Sequence, residues 1–347
     1  MKGKNTYIVL RLSSLSNVAM LAPLVTGLSC SYPDDEFVVV AQKPLADLFY
    51  GQTNIRYVEV SPEMTTFSGL CGLCKQIRGL EPTKVFDLQD DLRTRVMRCL
   101  LRWHKIPVEV IASNSREQRA LTRSGYEDAT PLKPEIERYS DAFKVGGLIL
   151  KGDLQLLPVN PKGVEKVQKL FGKKSGRWIG IAPFAKRQSN VLPYKTMKTI
   201  IGHFAQQPDT RIFLFGAGRI ETEMLRQWSS LWPNVESVSD RLPLDGELEL
   251  MRQTDGLLCM DSANQHLAAM VGCPTLSIWC GTHTYMGYAA WNKPNMQVLS
   301  LPISCRPCTV HGTDKCKYRN FACKALTPEM IIERFDKLLN SDNKQVI

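Results

Sequence analysis

No run of the 347-residue sequence approaches the roughly 20 apolar residues that a bilayer-crossing helix needs, so no segment reads as a membrane span. There is no internal repeat and no low-complexity tract, which leaves neither a repeat architecture nor a biased tail to explain. No stretch is poor enough in apolar residues to read as disordered, and 44% hydrophobic with 22% charged residues is the composition of a folded protein. The marked shortage is of acid. Thirty-four Asp and Glu against 44 Lys and Arg give a formal net charge of +10 and a pI near 9.0. Such a surface attracts anions, whether nucleic acid, an acidic membrane face or a phosphorylated ligand, and composition does not choose among them.

The N-terminus also lacks a clean export signal. Early lysines, the apolar stretch from Val18 to Leu28 and a lipoprotein-like Leu28-Ser29-Cys30 are present, but Arg11, Asn17 and Pro23 interrupt the pattern. Residues Tyr7 to Leu12 read better as a buried strand. The expectation is a cytoplasmic, reduced protein, whose eleven cysteines are then no disulfide framework.

What is present is an alternation of short apolar runs and amphipathic helical segments, the pattern of parallel sheets covered by helices. Strands are predicted at Tyr7–Leu12, Glu36–Ala41, Tyr57–Val60, Lys84–Leu88 and Val108–Ile111, with helices near Val18–Leu28, Leu45–Tyr50, Gly69–Arg78 and Arg93–Trp103. A second series follows the Pro- and Gly-containing break from Leu156 to Gly163. Its strands are Trp178–Ala182, Arg211–Phe215, Gly256–Met260 and Thr275–Trp279, and its helices Tyr194–Ala205, Ile220–Leu231, Leu244–Gln253 and Asn264–Val271. The length exceeds what one core usually serves. Two Rossmann-like α/β domains facing each other across a cleft are therefore expected, residues 1–162 and 163–327, with a last helix in 328–347 packing back on the first.

The most informative segment runs from Asp255 to Thr275. An apolar strand ends at Asp261-Ser262 and a helix starts at once with small residues, an arrangement whose open N–H groups and dipole suit a diphosphate. Either residue as a plain helix cap is the competing reading, and His266 taken alone reads equally as a core or capping histidine. The basic stretch Arg93 to Arg123 is either a solvated helix face or the wall of an anion-binding cleft.

The whole pattern Asp-Ser-x-x-x-His-Leu-Ala-Ala-x-x-Gly-x-Pro, from Asp261 to Pro274, resembles the signature of the glycosyltransferase family 9 heptosyltransferases. Ser13-Ser14 after the first strand, Asp87 to Thr94, Ile179 to Ala185, and Phe215 to Gly218 with Glu221 resemble further segments of that family in the same order. The resemblance implies a GT-B fold and sugar transfer from a nucleotide diphosphate, ADP-heptose in the type case, to a lipid-linked, anionic lipopolysaccharide-core acceptor, with inversion. It implies a donor site at Asp261, Ser262, Ala263, His266, Glu221 and Gly216, and acceptor contacts at Ser13, Ser14, Gln89, Arg93 and Thr94. It also implies peripheral contact with the inner membrane surface, no nucleic-acid partner and no required cofactor.

Two family positions differ. The catalytic aspartate of the first loop is Asn17 here, and the phosphate-binding lysine is Asn190. An amide is no carboxylate base near neutral pH and brings no positive charge to phosphate. Lys186 and Arg187 stand close by as replacement cations, and Asp90 or Asp91 as replacement bases. A catalytically impaired relative that binds a sugar nucleotide is the alternative function. Finally, Cys305, Cys308, Cys316 and Cys323 form a C-x2-C-x7-C-x6-C pattern suited either to tetrahedral zinc or to a metal-free cysteine-rich loop. Cys71 and Cys74, within a helix, read as packing residues. A zinc-containing nucleic-acid binder leaves the Asp261–Pro274 segment unexplained.

Overall fold

A computed structural model describes residues 4–12, 15–42, 45–292 and 295–341. The chain divides into two compact units, one of Met1–Asn114 with Lys133–Pro158, the other of Ser115–Leu132 with Val159–Ile347. Each is built on a parallel sheet, as the alternating pattern predicts.

The first sheet holds β1 (Thr6–Leu10), β2 (Glu36–Gln42), β3 (Ile55–Val60), β4 (Lys84–Asp87) and β5 (Val108–Val110), in the order β3-β2-β1-β4-β5. Its helices are α1 (Leu15–Ser31), α2 (Phe67–Arg78), α3 (Leu92–Trp103) and α5 (Glu135–Val145). Helix α1 is buried almost continuously from Val18 to Ser29, which is why its sequence is apolar all round rather than striped. On one face of the sheet, Ile8, Leu10, Val38, Val40 and Val85 pack with Leu70, Leu73 and Ile77 of α2 and Met97 and Leu101 of α3. The helix expected at Leu45–Tyr50 is a short 3-10 turn over Ala46–Phe49.

The second sheet holds β6 (Arg177–Ala182), β7 (Thr210–Leu214), β8 (Val235–Ser237), β9 (Gly256–Met260), β10 (Thr275–Ile278) and β11 (Met296–Leu299), in the order β11-β10-β9-β6-β7-β8. Every pairing in both sheets is parallel. Around it lie α4 (Ser115–Ser124), α6 (Pro161–Phe171), α7 (Tyr194–Ala205), α8 (Arg219–Ser229), α9 (Leu244–Gln253), α10 (Ala263–Met270) and α11 (Pro328–Leu339). Helices α4 to α6 fall where the sequence pattern is weakest.

Two features depart from the expected division. Residues 115–132 leave the first unit and join the second, where Leu132 N–H donates to Tyr285 O at 2.8 Å, Gln118 to the Tyr288 hydroxyl at 2.8 Å, and Tyr126 stacks on His283 at 4.0 Å. Helix α11 was expected to pack back on the first domain, but it belongs to the second unit. Its Ile331, Phe335, Leu338 and Leu339 enter the core with Phe204 and Ile201 of α7. Gly256 at the start of β9 makes room for it, since a Cβ there would lie 2.8 Å from Leu339. Among the described residues no helix is long and apolar enough to cross a membrane.

Because Phe335 is fully buried edge-on to Phe204, Phe335→Ala should cost about 3–5 kcal/mol in denaturant unfolding. A loss under about 1 kcal/mol would show that α11 is not part of that core.

Candidate functional site

In an open parallel sheet, ligands bind beyond the carboxyl ends of the strands, where the winding direction reverses. That reversal lies between β6 and β9 in the second sheet and between β1 and β4 in the first. Asp261 and Asn190 lie at the reversal of the second sheet and Asp87 to Asp91 at that of the first, whereas Gly216 and Glu221 follow β7.

Strand β9 ends at Met260 and places Asp261 at the reversal. Its carboxylate accepts the Thr282 hydroxyl at 2.5 Å, from the loop after β10, and the Asn190 amide at 3.2 Å, from the loop after β6. Gln265, one turn into α10, donates to the other oxygen at 2.9 Å. Asp261 keeps a small exposed patch but is otherwise crowded by protein. That burial raises its pKa to about 6, against the opposing pull of the Thr282 and Gln265 hydrogen bonds.

Ser262 caps α10, its hydroxyl accepting Asn264 N–H at 3.4 Å, and Ala263 is the first helical residue. His266 is buried, its Nδ1 without a hydrogen-bond partner among the described residues, and burial lowers its pKa to about 3. It is a neutral imidazole at physiological pH.

After β7, the chain turns through Gly216 and Gly218 into α8. Gly218 has φ 85°, the left-handed region that glycine adopts without strain. A Cβ on Gly216 would come within 3.2 Å of the Glu221 carboxylate, so the bare glycine lets Glu221 fold back to accept Ala217 N–H at 3.0 Å. Burial raises the Glu221 pKa, and the Ala217 hydrogen bond opposes the shift.

The loop after β6 carries Lys186, Arg187 and Asn190. Lys186 is exposed; Arg187 is also exposed and pairs with Asp314 at 2.8 Å. Asn190 is buried and held between Ser189, whose hydroxyl donates to its carbonyl at 3.0 Å, and Asp261.

At the first unit's reversal, Arg11 follows β1 and is buried. It donates to Gln89 at 2.7 Å and to the Tyr139 hydroxyl at 3.1 Å, and lies 3.9 Å from Glu135. Asp87 is fully buried at the end of β4, accepting the N–H groups of Gln89 and Asp90 and pairing with Arg98 at 3.2 Å. Asp90, at φ 50°, lies 3.0 Å from Arg98 and 3.3 Å from Arg95. Asp91 and Thr94 form a reciprocal capping box at the start of α3, and Arg93 lies 2.5 Å from Asp91. Burial would raise the Asp91 pKa, but hydrogen bonds from Arg93 and Thr94 outweigh it and hold the pKa below the usual value.

These contacts correct two expectations. Asp91 is a weakened base tied into a helix cap, and Thr94 is a fully buried cap partner rather than an accessible contact. Asn17 lies in the first turn of α1, half-buried, with a partner of its own. Ser13 and Ser14 lie outside the described residues.

Of the four cysteines for which the sequence left zinc or a metal-free loop open, Cys308 is close enough to the other three for their charges to interact. Cys305, Cys308 and Cys316 line one cavity of about 320 Å³ and Cys323 is buried. Yet among the described residues no group of three or more His, Cys, Asp or Glu is placed to hold a metal ion.

Sequence reasoning passed over Thr282, Gln265 and Ser189. Gln265 was legible as the i+4 neighbour of Asp261 on one helix face. Thr282 and Ser189 reach the site only through sheet topology. Buried Arg306 was also missed; it donates to Thr282 O at 2.7 and 3.0 Å and to Leu301 O at 2.5 Å, fixing the loop that presents Thr282.

Residues 72–319 match the family model for glycosyltransferase family 9 (heptosyltransferase). No curated protein matches the chain. Among solved structures, a glycosyl transferase of family 9 from Veillonella parvula aligns over 98% of this chain and 98% of its own, at TM-score 0.75 and 14% identity. The ADP-heptose lps heptosyltransferase II of E. coli aligns over 96% and 98%, at TM-score 0.71 and 16% identity. E. coli heptosyltransferase WaaC with ADP aligns over 96% and 99%, at TM-score 0.67 and 14% identity.

An acid whose pKa rises on folding holds its proton more tightly folded than unfolded. Asp261 therefore favours folding below its ordinary pKa of 3.8 and loses that advantage as pH climbs through about 6. Relative to Asp261→Asn, which does not titrate, the wild type should lose roughly 3 kcal/mol between about pH 4 and about pH 7. Urea unfolding of both proteins across that range measures it. A constant difference would mean that Asp261 titrates like an exposed carboxylate.

Proposed function

The chain belongs to glycosyltransferase family 9, a glycosyltransferase of GT-B fold, and from that premise we propose that it transfers a heptose or related sugar from a nucleotide diphosphate to a lipid-linked, anionic acceptor of the lipopolysaccharide core. ADP-heptose is the donor that the two E. coli relatives suggest, one named for that sugar nucleotide and the other solved with ADP. On this reading the reaction inverts the anomeric centre, on the cytoplasmic face of the inner membrane and with no cofactor. The observation that carries the reading is the set of loops after β6, β9 and β10 converging on Asp261 beside the capped start of α10.

In such a transfer, the acceptor oxygen bonds to the anomeric carbon as the bond to the diphosphate breaks. The acceptor proton goes to a base, and the departing negative charge needs positive partial charge. We assign the second need to the first turn of α10, whose amides and dipole favour an anion. We assign the nucleoside to Glu221, which accepts Ala217 N–H at the Gly216 turn. The first need falls on the first unit, where Asn17 holds the family's base position and the neighbouring acids Asp87, Asp90 and Asp91 are all in ion pairs. The basic residues from Arg93 onward serve the anionic acceptor.

A second reading, binding without efficient transfer, is favoured by Asn190, whose amide is engaged by Asp261.

Thermal shift and donor hydrolysis with ADP-, UDP-, GDP- and CMP-sugars separate the two. A cognate donor should stabilise the wild type, and Asp261→Ala and Ser262→Phe should each weaken binding by about 1.5–3 kcal/mol. Undiminished shifts in both variants would place the donor elsewhere.

Asn17→Asp returns a carboxylate to the base position, and general base catalysis contributes about 10²–10⁴-fold. Turnover of the matched donor and acceptor should rise within that range. If the wild type already turns over at an ordinary enzymatic rate and the variant gains nothing, another group is the base. If donor binds and no variant transfers, the protein is a binder.

A further inference from the structure

Helix α3 has an outer face that its fold does not need. Thr94, Met97 and Leu101 point inward, Val96 and Leu100 pack at the core's margin, and Arg98 turns back to Asp87 and Asp90. What remains outside is Leu92 at 79% exposure, Trp103 at 85%, and the exposed Arg95, Cys99 and Arg102. These five form one stripe. At 100° per residue, Leu92 and Trp103, eleven residues apart, project within about 20° of each other, and the other three lie within about 80°.

Large apolar side chains at both ends of a twelve-residue helix, with arginines between them and no acid anywhere in Leu92–Trp103, are not a solvated face of ordinary kind. Helix α2, packed against α3, continues the surface with Phe67 at 70% exposure, Lys75 and Arg78, the last in contact with His104 just beyond α3 at 2.9 Å. The acids closest to the stripe, Asp90 and Asp91, are already paired with Arg95, Arg98 and Arg93.

We propose that this face of α3, flanked by Phe67, Lys75 and Arg78 of α2, docks on an anionic phospholipid bilayer. An indole and a leucyl side chain suit the headgroup region, where an apolar body and a polar edge are both accommodated. The arginines meet lipid phosphates, and their long side chains let charge and apolar stem partition separately. Docking here deepens the acceptor half of the proposed function, because a lipid-linked acceptor is reached from the surface that carries it. It is measured without donor or turnover, so a failed transfer assay and a failed docking assay are separate results.

The test is co-sedimentation of the full chain with vesicles of phosphatidylcholine alone and of equimolar phosphatidylcholine and phosphatidylglycerol. The wild type should pellet with the anionic vesicles, less so as salt is raised, and poorly with the neutral ones. Arg95→Glu with Arg102→Glu should lower partitioning by about 25-fold or more, taking roughly fivefold per basic residue. Leu92→Ser with Trp103→Ser should lower it by more than about tenfold. Val145→Ser, exposed on α5, should change nothing, and the Leu92, Trp103 and Val145 variants should melt with the wild type because those side chains are exposed. The arginine reversal, which breaks the Arg95–Asp90 pair and the Arg102–Val108 hydrogen bond, is compared below its own melting temperature. Equal pelleting with both vesicle types, or pelleting that neither double variant reduces, would overturn the proposal. So would a dimer in sedimentation velocity that Leu92→Ser with Trp103→Ser abolishes, with no vesicle binding by the wild type.

Discussion

A parallel sheet can reverse its winding direction only by sending two adjacent connections to opposite faces, and the carboxyl ends of those strands are left with a crevice that no helix fills. Both units meet that constraint, and both place their polar groups accordingly. In the second unit the reversal brings the loops after β6 and β9 side by side, with the loop after β10 beside them. The three hydrogen-bonding partners of Asp261 come from two of those loops and from α10 itself. In the first unit, Arg11 after β1 and Gln89 after β4 meet at the equivalent place. The remaining secondary structure holds these strand ends in register.

Concentrating polar groups there has an energetic cost. Asp261 has three donors and still titrates near 6, so its hydrogen bonds do not offset its burial. Glu221 is raised and His266 lowered by the same cause. All three shifts favour the neutral form. At pH 7 an acid titrating near 6 is nonetheless mostly ionised, so Asp261 carries negative charge at this strand end, whereas His266 carries none. Perturbed groups clustered at strand ends are an arrangement that folding alone does not call for.

Much of this was legible in the sequence because the signals are local. The Asp-Gly start and Met260 end of β9, the proline before α7 and the boundaries of α9 match the predicted elements to the residue. The strands β8 and β11, three and four residues at the sheet's edges, were not predicted. Nor was the passage of residues 115–132 into the second unit, since nothing in that segment's composition marks the ring stacking of Tyr126 on His283. Asp91 illustrates a different limit. Its carboxyl is chemically able to act as a base, but its position before α3 makes it a cap, and cap geometry is settled by backbone conformation.

Asn190 shows why a departure from a family pattern is not simply a loss. The segment from Gly312 to Asp314 folds down on the loop after β6. Ser189 N–H donates to Thr313 O at 2.8 Å, Thr313 N–H donates back to the Ser189 hydroxyl at 2.8 Å, and Ser189 O takes Gly281 N–H at 2.9 Å on the other side. A Cβ on Gly312 would lie 2.6 Å from the Asn190 side chain. The glycine and the short amide therefore fit each other: a long side chain at 190 displaces the 312–314 segment, and any side chain at 312 displaces Asn190. The amide that remains still donates to Asp261, so the position keeps its tie to the strand end while its positive charge is gone. Arg187, the nearby cation, is drawn to Asp314 of the same descending segment. If the donor's phosphates attract Arg187, that exposed, solvent-screened pair holds the guanidinium back only weakly. On the proposed reading, a bound diphosphate therefore draws on Arg187 and the equally exposed Lys186 in place of a lysine at position 190.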